Sequence, residues 1–327
     1  MLGVGIVGLG MMGRMHYNGW SKMDGVAVRA IADIDEKRAR GDLSGGWSNL
    51  PGADGGQLPM DRIQGFTDAA ELNALDEIDI VDVCVPTPAH AEITVPALEA
   101  GKHVMCEKPL ALTVAEARRV AEAADAAKGM FMPAMCMRFW PEWVWLRQAI
   151  RERTYGAVRS ALFRRLGSMP GGWYRDGEQS GGAITDLHVH DTDFIVFAFG
   201  LPRAVFSRGV SAFTGAVDHV VTQYLYEDPT PITAEGSFAP APGYGFQMHF
   251  EVHFEEATAI YNIGGDPKLT LVKDGEKQAP PIEEAEAHHV ELEYFARCVQ
   301  EGNPPQVTNA AEAIKGLRVI EAERESI

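Results

Sequence analysis

Between Gly181 and Asp193 the sequence reads Gly-Gly-Ala-Ile-Thr-Asp-Leu-His-Val-His-Asp-Thr-Asp. Continued as one helix, Asp186, His190 and Asp193 stand at i, i+4 and i+7 and share a face. An imidazole between two carboxylates exchanges a proton near neutral pH, one carboxylate fixing its tautomer and raising its basicity, so the set suits a general acid/base. His188 lies about 160° round from Asp186 and faces elsewhere. Two other readings use the same residues. One is a divalent-metal site, with His188-x-His190 superficially like a hydrolase pair; the other is a buried histidine with carboxylates at the positive start of a helix. The divergence of His188 and His190 counts against a metal, and none is expected.

Near the N-terminus Gly8-Leu9-Gly10-Met11-Met12-Gly13 has the form G-x-G-x-x-G, and Asp33 ends the next strand-like run 20 residues after Gly13. A strand-like run precedes the glycines and a helix-like run follows, which turns a common spacing into a dinucleotide signature. Gly8 and Gly10 permit a tight turn and a close approach of backbone to a pyrophosphate. That group would sit at the positive end of the helix opened by Met11 and Met12, while Gly13 lets helix and strand pack. Asp33 can accept from an adenosine ribose and repels a 2′-phosphate, favouring NAD over NADP, with Arg29 and Lys37 as the cations available to offset it. Glu107-Lys108-Pro109 follows another strand-like run. Ligands of open parallel sheets bind beyond the carboxyl ends of the strands, so Lys108 is expected in the cofactor crevice.

These groups need elements to hold them. In the first half, strand-like runs at 3–8, 26–33, 78–85, 103–106 and 130–135 alternate with helix-like runs at 12–23, 91–100 and 114–128. That is the pattern of a doubly wound parallel sheet. After a helix near 141–151, alternating runs at 158–166, 204–210, 220–226, 246–254 and 258–263 predict an α+β domain on a large, mainly antiparallel open sheet. One helix-like insertion, 183–199, interrupts them. Two helices, 286–300 and 310–325, close the chain, the second with Asn309 and Glu312 as cap and partner. The predicted domains are 1–135 and 136–327, the last helix being able to pack on the first. A Gly-rich stretch at 41–56 predicts a long insertion loop, either surface elaboration or a lid.

The 327 residues suit about two domains. With 29 Lys+Arg against 46 Asp+Glu, the formal net charge is −17, a field that repels nucleic acid and anionic membrane surfaces. Cys84, Cys106, Cys136 and Cys298 fall singly and read as reduced thiols. The sequence shows neither a leader pattern nor an apolar run of about 18 residues, so a cytoplasmic protein without membrane or nucleic-acid partners is expected.

In combination these motifs resemble the Gfo/Idh/MocA family of glucose–fructose oxidoreductase and inositol dehydrogenase relatives. The resemblance rests on the glycine element at 8–13, Pro86 and His90 in Val85-Pro86-Thr87-Pro88-Ala89-His90, and Ala97-Leu98-Glu99-Ala100-Gly101-Lys102-His103-Val104 leading into Glu107-Lys108-Pro109. Arg138-Phe139 and the Gly181-Gly182…Asp186…His190…Asp193 signature complete it. It implies a Rossmann domain followed by an α/β domain whose open sheet walls the substrate and often forms the oligomer contact, hence a homo-oligomer through the C-terminal sheet. It also implies Lys108 as the catalytic lysine and His190 as proton acceptor and donor, with Asp186 and Asp193 orienting substrate and histidine. Pro86, Thr87, His90 and Glu107 then lie on the cofactor side. Thr87 departs from the Asn that many relatives carry there.

The expected reaction is reversible oxidation of a secondary alcohol on a sugar, cyclitol or sugar acid. His190 takes the hydroxyl proton while Lys108 hydrogen-bonds the same oxygen. Trp173 and Tyr174, after Pro170-Gly171-Gly172, offer faces for a pyranose or for core packing. Arg138, Arg164 or Arg165 are candidates to read an acidic group, the adjacent two pointing to opposite faces. Two rival functions use the same residues: a glycoside hydrolase or epimerase with transiently used, tightly held NAD, and a non-catalytic NAD-sensing regulator.

Overall fold

The structure is a computed structural model that describes residues 1–44, 55–283 and 285–327. Most of the Gly-rich insertion expected at 41–56 lies outside the described residues. The chain divides into two compact units, Met1–Cys136 with Glu286–Ala313, and Met137–Ala285 with Ile314–Ile327. The helix Ala287–Glu301 thus belongs to the first unit, and the last helix, Ala310–Ser326, is shared between the two by sequence. Among the described residues no helix is long and apolar enough to cross a membrane.

The first unit is a six-stranded parallel sheet of β1 (Leu2–Val7), β2 (Val26–Ala32), β3 (Gln64–Phe66), β4 (Ile80–Val83), β5 (His103–Glu107) and β6 (Phe131–Ala134). Its order, β3-β2-β1-β4-β5-β6, reverses direction between β1 and β4. Such a reversal opens a crevice at the carboxyl ends of the strands, since the flanking crossovers leave in opposite directions. Buried on both faces, β4 reads Ile-Val-Asp-Val with every residue at 0% exposure, so Asp82 is a charge inside an apolar strand. Trp20, Leu292 and Phe295 join Val4, Ile6 and Ile31 in the core, which is how the helix Ala287–Glu301 is held to this sheet. The helix Val114–Ala126 starts as its sequence predicts, with Thr113 Oγ1 accepting from the Glu116 N–H. β3 was not anticipated; at three residues, two of them exposed, it has no buried apolar run to reveal it.

The second unit carries an eight-stranded sheet. Its strands are β7 (Val158–Gly167), β8 (Ala204–Val210), β9 (His219–Leu225), β10 (Ile232–Ser237), β11 (Phe246–Phe254), β12 (Ala257–Asn262), β13 (Leu269–Lys273) and β14 (Glu276–Gln278). The order is β14-β13-β12-β11-β7-β10-β9-β8, antiparallel except for the central parallel pair β7 and β10. Sequence reading missed β10, β13 and β14: Ile232-Thr-Ala-Glu-Gly-Ser has one bulky apolar residue and is buried by its neighbours rather than by its own pattern. One sheet face packs an aromatic core in which Trp143 meets Phe250 at 4.9 Å and Tyr261 at 4.5 Å between ring centroids, both edge-on. Residues of the other face, including Phe206, Val210, Val221 and Leu225, stay exposed.

Candidate active site

In the first unit the glycine turn does three separate jobs. Gly8 has φ +90°, and a Cβ there would lie 2.8 Å from the main chain of Cys84 at the end of β4. At Gly13 a Cβ would fall 1.9 Å from the carbonyl oxygen of Gly8, so helix and turn touch only without a side chain. Gly10 differs: among the described residues nothing lies within 4 Å of its would-be Cβ. The open side of the turn is therefore at Gly10, which immediately precedes the helix Met11–Trp20, a helix with no acidic residue in its first turn. An anion approaching there meets a positive helix end and, among the described residues, open space at Gly10, so the residues present fit a dinucleotide pyrophosphate.

Asp33, one residue past β2, is 7% exposed. Its Oδ2 accepts from the Leu9 N–H at 2.7 Å and its Oδ1 from the Asp35 N–H at 2.9 Å, which anchors the carboxylate against the glycine turn. The cation beside it is Arg38, at 3.6 Å. Arg29 instead directs its guanidinium to Met1, and Lys37 lies by Asp42, so the expected offsetting cations are replaced by their neighbour.

At the end of β4, Pro86 is exposed and Thr87 is buried at 4% exposure in a single 3-10 turn. His90 was expected on the cofactor; it is 1% exposed, with Nδ1 2.9 Å from the carbonyl oxygen of Pro109 and Nε2 2.9 Å from that of Val85. Burial holds its pKa below the ordinary value despite these carbonyls. The ring thus joins the loop after β4 to the loop after β5.

Lys108 follows β5 directly and is half-buried. Its N–H donates to Glu107 Oε2 at 2.9 Å. Glu107 is buried, and burial would raise its pKa, yet His16, whose Nε2 lies 3.2 Å from Glu107 Oε1, and the charge of Lys108 bring it below the usual carboxylate range. Sequence reading missed His16 and Asp82. The available signal was Asp82, a carboxylate in the middle of an otherwise apolar run, which must find a buried donor. It finds the Trp20 Nε1–H at 2.7 Å and His16 Nδ1 at 2.9 Å, both on Oδ2. His16 Nδ1, Asp82 and Cys84 Sγ lie within 4.8 Å of one another. Hydrogen bonds already occupy this set, and burial pushes the Cys84 thiol well above its ordinary pKa, so the donors fit a protonated network rather than a metal.

In the second unit, the helix expected through Gly181–Asp193 is broken into Gly182–Asp186 and Val189–Phe199. The His188 N–H reaches back five residues, to the Ala183 carbonyl at 2.8 Å, which inserts a residue and takes Asp186 out of the register that His190 and Asp193 keep within Val189–Phe199. The side chains then separate by role. Asp193 takes Arg138 in a buried two-bond pair, Nε to Oδ2 at 2.9 Å and Nη2 to Oδ1 at 2.7 Å. Asp191 takes Arg165 likewise, with both bonds at 3.0 Å. His188 is fully buried, 3.2 Å from the Tyr224 hydroxyl and 3.4 Å from Glu323 of the last helix. Arg138, a candidate to read an acidic substrate, is thus buried against Asp193, the carboxylate expected to orient substrate or histidine. Arg164 faces away from Arg165, as adjacent strand residues must, and pairs with Glu235 at 2.8 Å. Asp186 is buried and His190 half-buried. Trp173 and Tyr174 stack on each other at 4.3 Å, half-exposed, on the turn Gly172–Arg175.

A switch-point parallel sheet with an open glycine turn and a lysine two strands away, followed by a second domain on a large mixed sheet, defines a two-domain nicotinamide-dinucleotide oxidoreductase. The chain belongs to the Gfo/Idh/MocA family: residues 2–135 match the oxidoreductase-family, NAD-binding Rossmann-fold model, and residues 143–260 match the family's C-terminal domain model. Among its relatives, D-apiose dehydrogenase of Paraburkholderia graminis is 26% identical, covering 97% of this chain and 85% of that protein. Inositol 2-dehydrogenase of Rubrobacter xylanophilus is also 26% identical, over 98% and 89%. The solved structure of levoglucosan dehydrogenase in complex with NADH and levoglucosan superposes with a TM-score of 0.82 at 20% identity, covering 99% of this chain and 96% of that one, and shows the shared fold.

Proposed function

We propose that the protein is an NAD-dependent dehydrogenase that interconverts a secondary alcohol and a ketone on a sugar, cyclitol or sugar acid. The observation that carries this reading is Lys108, fixed by its own N–H to Glu107 at the carboxyl end of β5, on the strand edge that also bears the glycine turn. The family's relatives include dehydrogenases of apiose and inositol, which supports the substrate class.

When bound, the nicotinamide supplies the hydride acceptor for the carbinol carbon. Gly8, Gly10, Gly13, Met11 and Met12 would hold the pyrophosphate, and Asp33 the adenosine ribose, with Pro86 on the same edge. Lys108 donates a hydrogen bond to the carbinol oxygen and favours its developing negative charge. His190 takes the hydroxyl proton, with Asp186 as the carboxylate that orients it or the substrate. The stacked Trp173–Tyr174 pair offers an aromatic face to a sugar ring. Asp33 favours NAD, because a 2′-phosphate beside it would meet a buried carboxylate whose paired cation, Arg38, is 3.6 Å away and partly solvated. The apolar residues on the open face of β8 and β9 support a homo-oligomer formed through this sheet. The acidic composition and the cysteines, all four buried and outside any disulfide, support a cytoplasmic location.

Reduction of NAD and of NADP measured over a panel of sugars, inositols and uronates tests the reading. A substrate should emerge on which Lys108→Ala and His190→Ala each lose about 10²-fold or more in kcat. Full activity in both variants would overturn it. Cofactor retained through purification without turnover of added NAD would point to transient oxidation instead.

A further inference from the structure

His16 stands three residues past Gly13 on the helix Met11–Trp20, where the glycine turn has no need of a histidine. It is fully buried. Nδ1 lies 2.9 Å from Asp82 Oδ2 on β4, and Nε2 lies 3.2 Å from Glu107 Oε1 at the end of β5. Glu107 uses its other oxygen, Oε2, to accept the Lys108 N–H. Helix, two strands and the lysine loop therefore meet in one chain of contacts: Asp82, His16, Glu107, Lys108.

A neutral imidazole has one N–H and one lone pair, so it satisfies one of two flanking carboxylates and turns a lone pair to the other. Both carboxylates are served only when both ring nitrogens carry protons. Burial works against that charge, but Asp82 and Cys84 outweigh it and hold the imidazole well above its ordinary pKa. The other groups facing the cluster are Lys108 and His288, the latter from the helix Ala287–Glu301. We propose that His16 is a positioning residue, which clamps Glu107 and through it the main chain of Lys108, and so ties the cofactor-binding helix to the loop that carries the catalytic lysine. The inference rests on the proposed role of Lys108.

The test uses the full chain and variants His16→Asn, His16→Gln and Glu107→Gln, with folding checked by circular dichroism and melting. The first readout needs no turnover: acetylation of the Lys108 amine in the cofactor-free protein, followed by mass spectrometry across pH, with exposed Lys37 as internal reference. The second is kcat and KM on the substrate found above, with NADH binding followed by fluorescence. Folded His16→Asn should change Lys108 reactivity relative to Lys37 and lower kcat by about 10²-fold, the cost of a lysine displaced by about 1 Å, with a smaller change in KM. His16→Gln, whose longer amide can reach Glu107, should recover part of both. If His16→Asn does not fold, Glu107→Gln carries the test, since it keeps an acceptor for the Lys108 N–H but gives up the charge that His16 grips. Unchanged Lys108 reactivity and wild-type kcat in a folded variant overturn the inference. Full activity in Lys108→Ala overturns the functional reading instead, and Lys108 reactivity still decides the role of His16.

Discussion

Arg138 and Asp193 form a two-bond ion pair with both side chains almost wholly withdrawn from water, at 0% and 2% exposure. Such a pair is held by geometry: each oxygen of the carboxylate meets one N–H of the guanidinium fork, and the guanidinium also lies over the Phe197 ring at 4.2 Å. Removing one partner strands the other charge. Arg138→Met should therefore cost about 3–5 kcal/mol in urea unfolding, and Arg138→Met with Asp193→Leu should recover most of it. A double variant no more stable than the single would mean that the pair does not isolate Asp193 as described.

Two glycines of one motif should fail in different ways. Gly13→Ala forces a Cβ against the Gly8 carbonyl and should destabilise the fold by about 1–3 kcal/mol, seen as a lower melting temperature. At Gly10, whose φ is −69°, a Cβ meets no atom of the described residues within 4 Å. Gly10→Val should melt within about 2 °C of wild type while weakening NADH binding by about tenfold or more, because the side chain fills the pyrophosphate approach. Equal binding by Gly10→Val and wild type would place the cofactor elsewhere.

The balance between NAD and NADP should turn on one charge. Asp33→Asn keeps an acceptor for the Leu9 N–H and leaves Arg38 without its opposing carboxylate. The ratio of kcat/KM for NADP to that for NAD should rise about tenfold or more, and Arg38→Ala added to it should reverse the gain. An unchanged ratio would remove Asp33 from cofactor selection.

The two histidines around Glu107 should give stability opposite dependences on pH. Burial, reinforced by the charges of His16 and Lys108, lowers the pKa of His288 to about 4. Between about pH 6.5 and 4 the unfolded chain binds a proton there that the folded chain refuses, so stability falls on acidification across that window. His16 keeps its proton in the folded state, so its contribution is complete below about pH 6.5 and is lost as pH rises through the raised folded value. Urea unfolding from about pH 4.5 to 8.5 should show the acid limb flattened in His288→Gln and the alkaline limb flattened in His16→Asn. The same limbs in both variants would refute the assignment.

Periodicity and turn chemistry made the parallel sheet, the glycine turn, Asp33 at the end of β2 and Lys108 after β5 legible in the sequence, because each depends on residues within one βα unit. The caps at Thr113 and Asn309 were legible for the same reason, each being a local hydrogen bond, here from Glu116 and Glu312. The series of antiparallel strands was legible wherever alternation was strong, and failed at β10, where burial comes from the neighbouring strands.

Partner choice among charges was not legible. Asp186 and Asp193 stand seven positions apart, and a helical wheel gives them one task; a single bond from the His188 N–H to the Ala183 carbonyl breaks that wheel, and Arg138, 55 positions away, claims Asp193. His16 shows the same limit, since its two carboxylates come from strands 66 and 91 residues downstream. The sequence by itself determined the class of fold, the cofactor turn and the residue types available for proton transfer. Tertiary structure alone decided which partner each buried acid and base takes, because a buried charge must take the nearest complementary donor in space, whatever its distance along the chain.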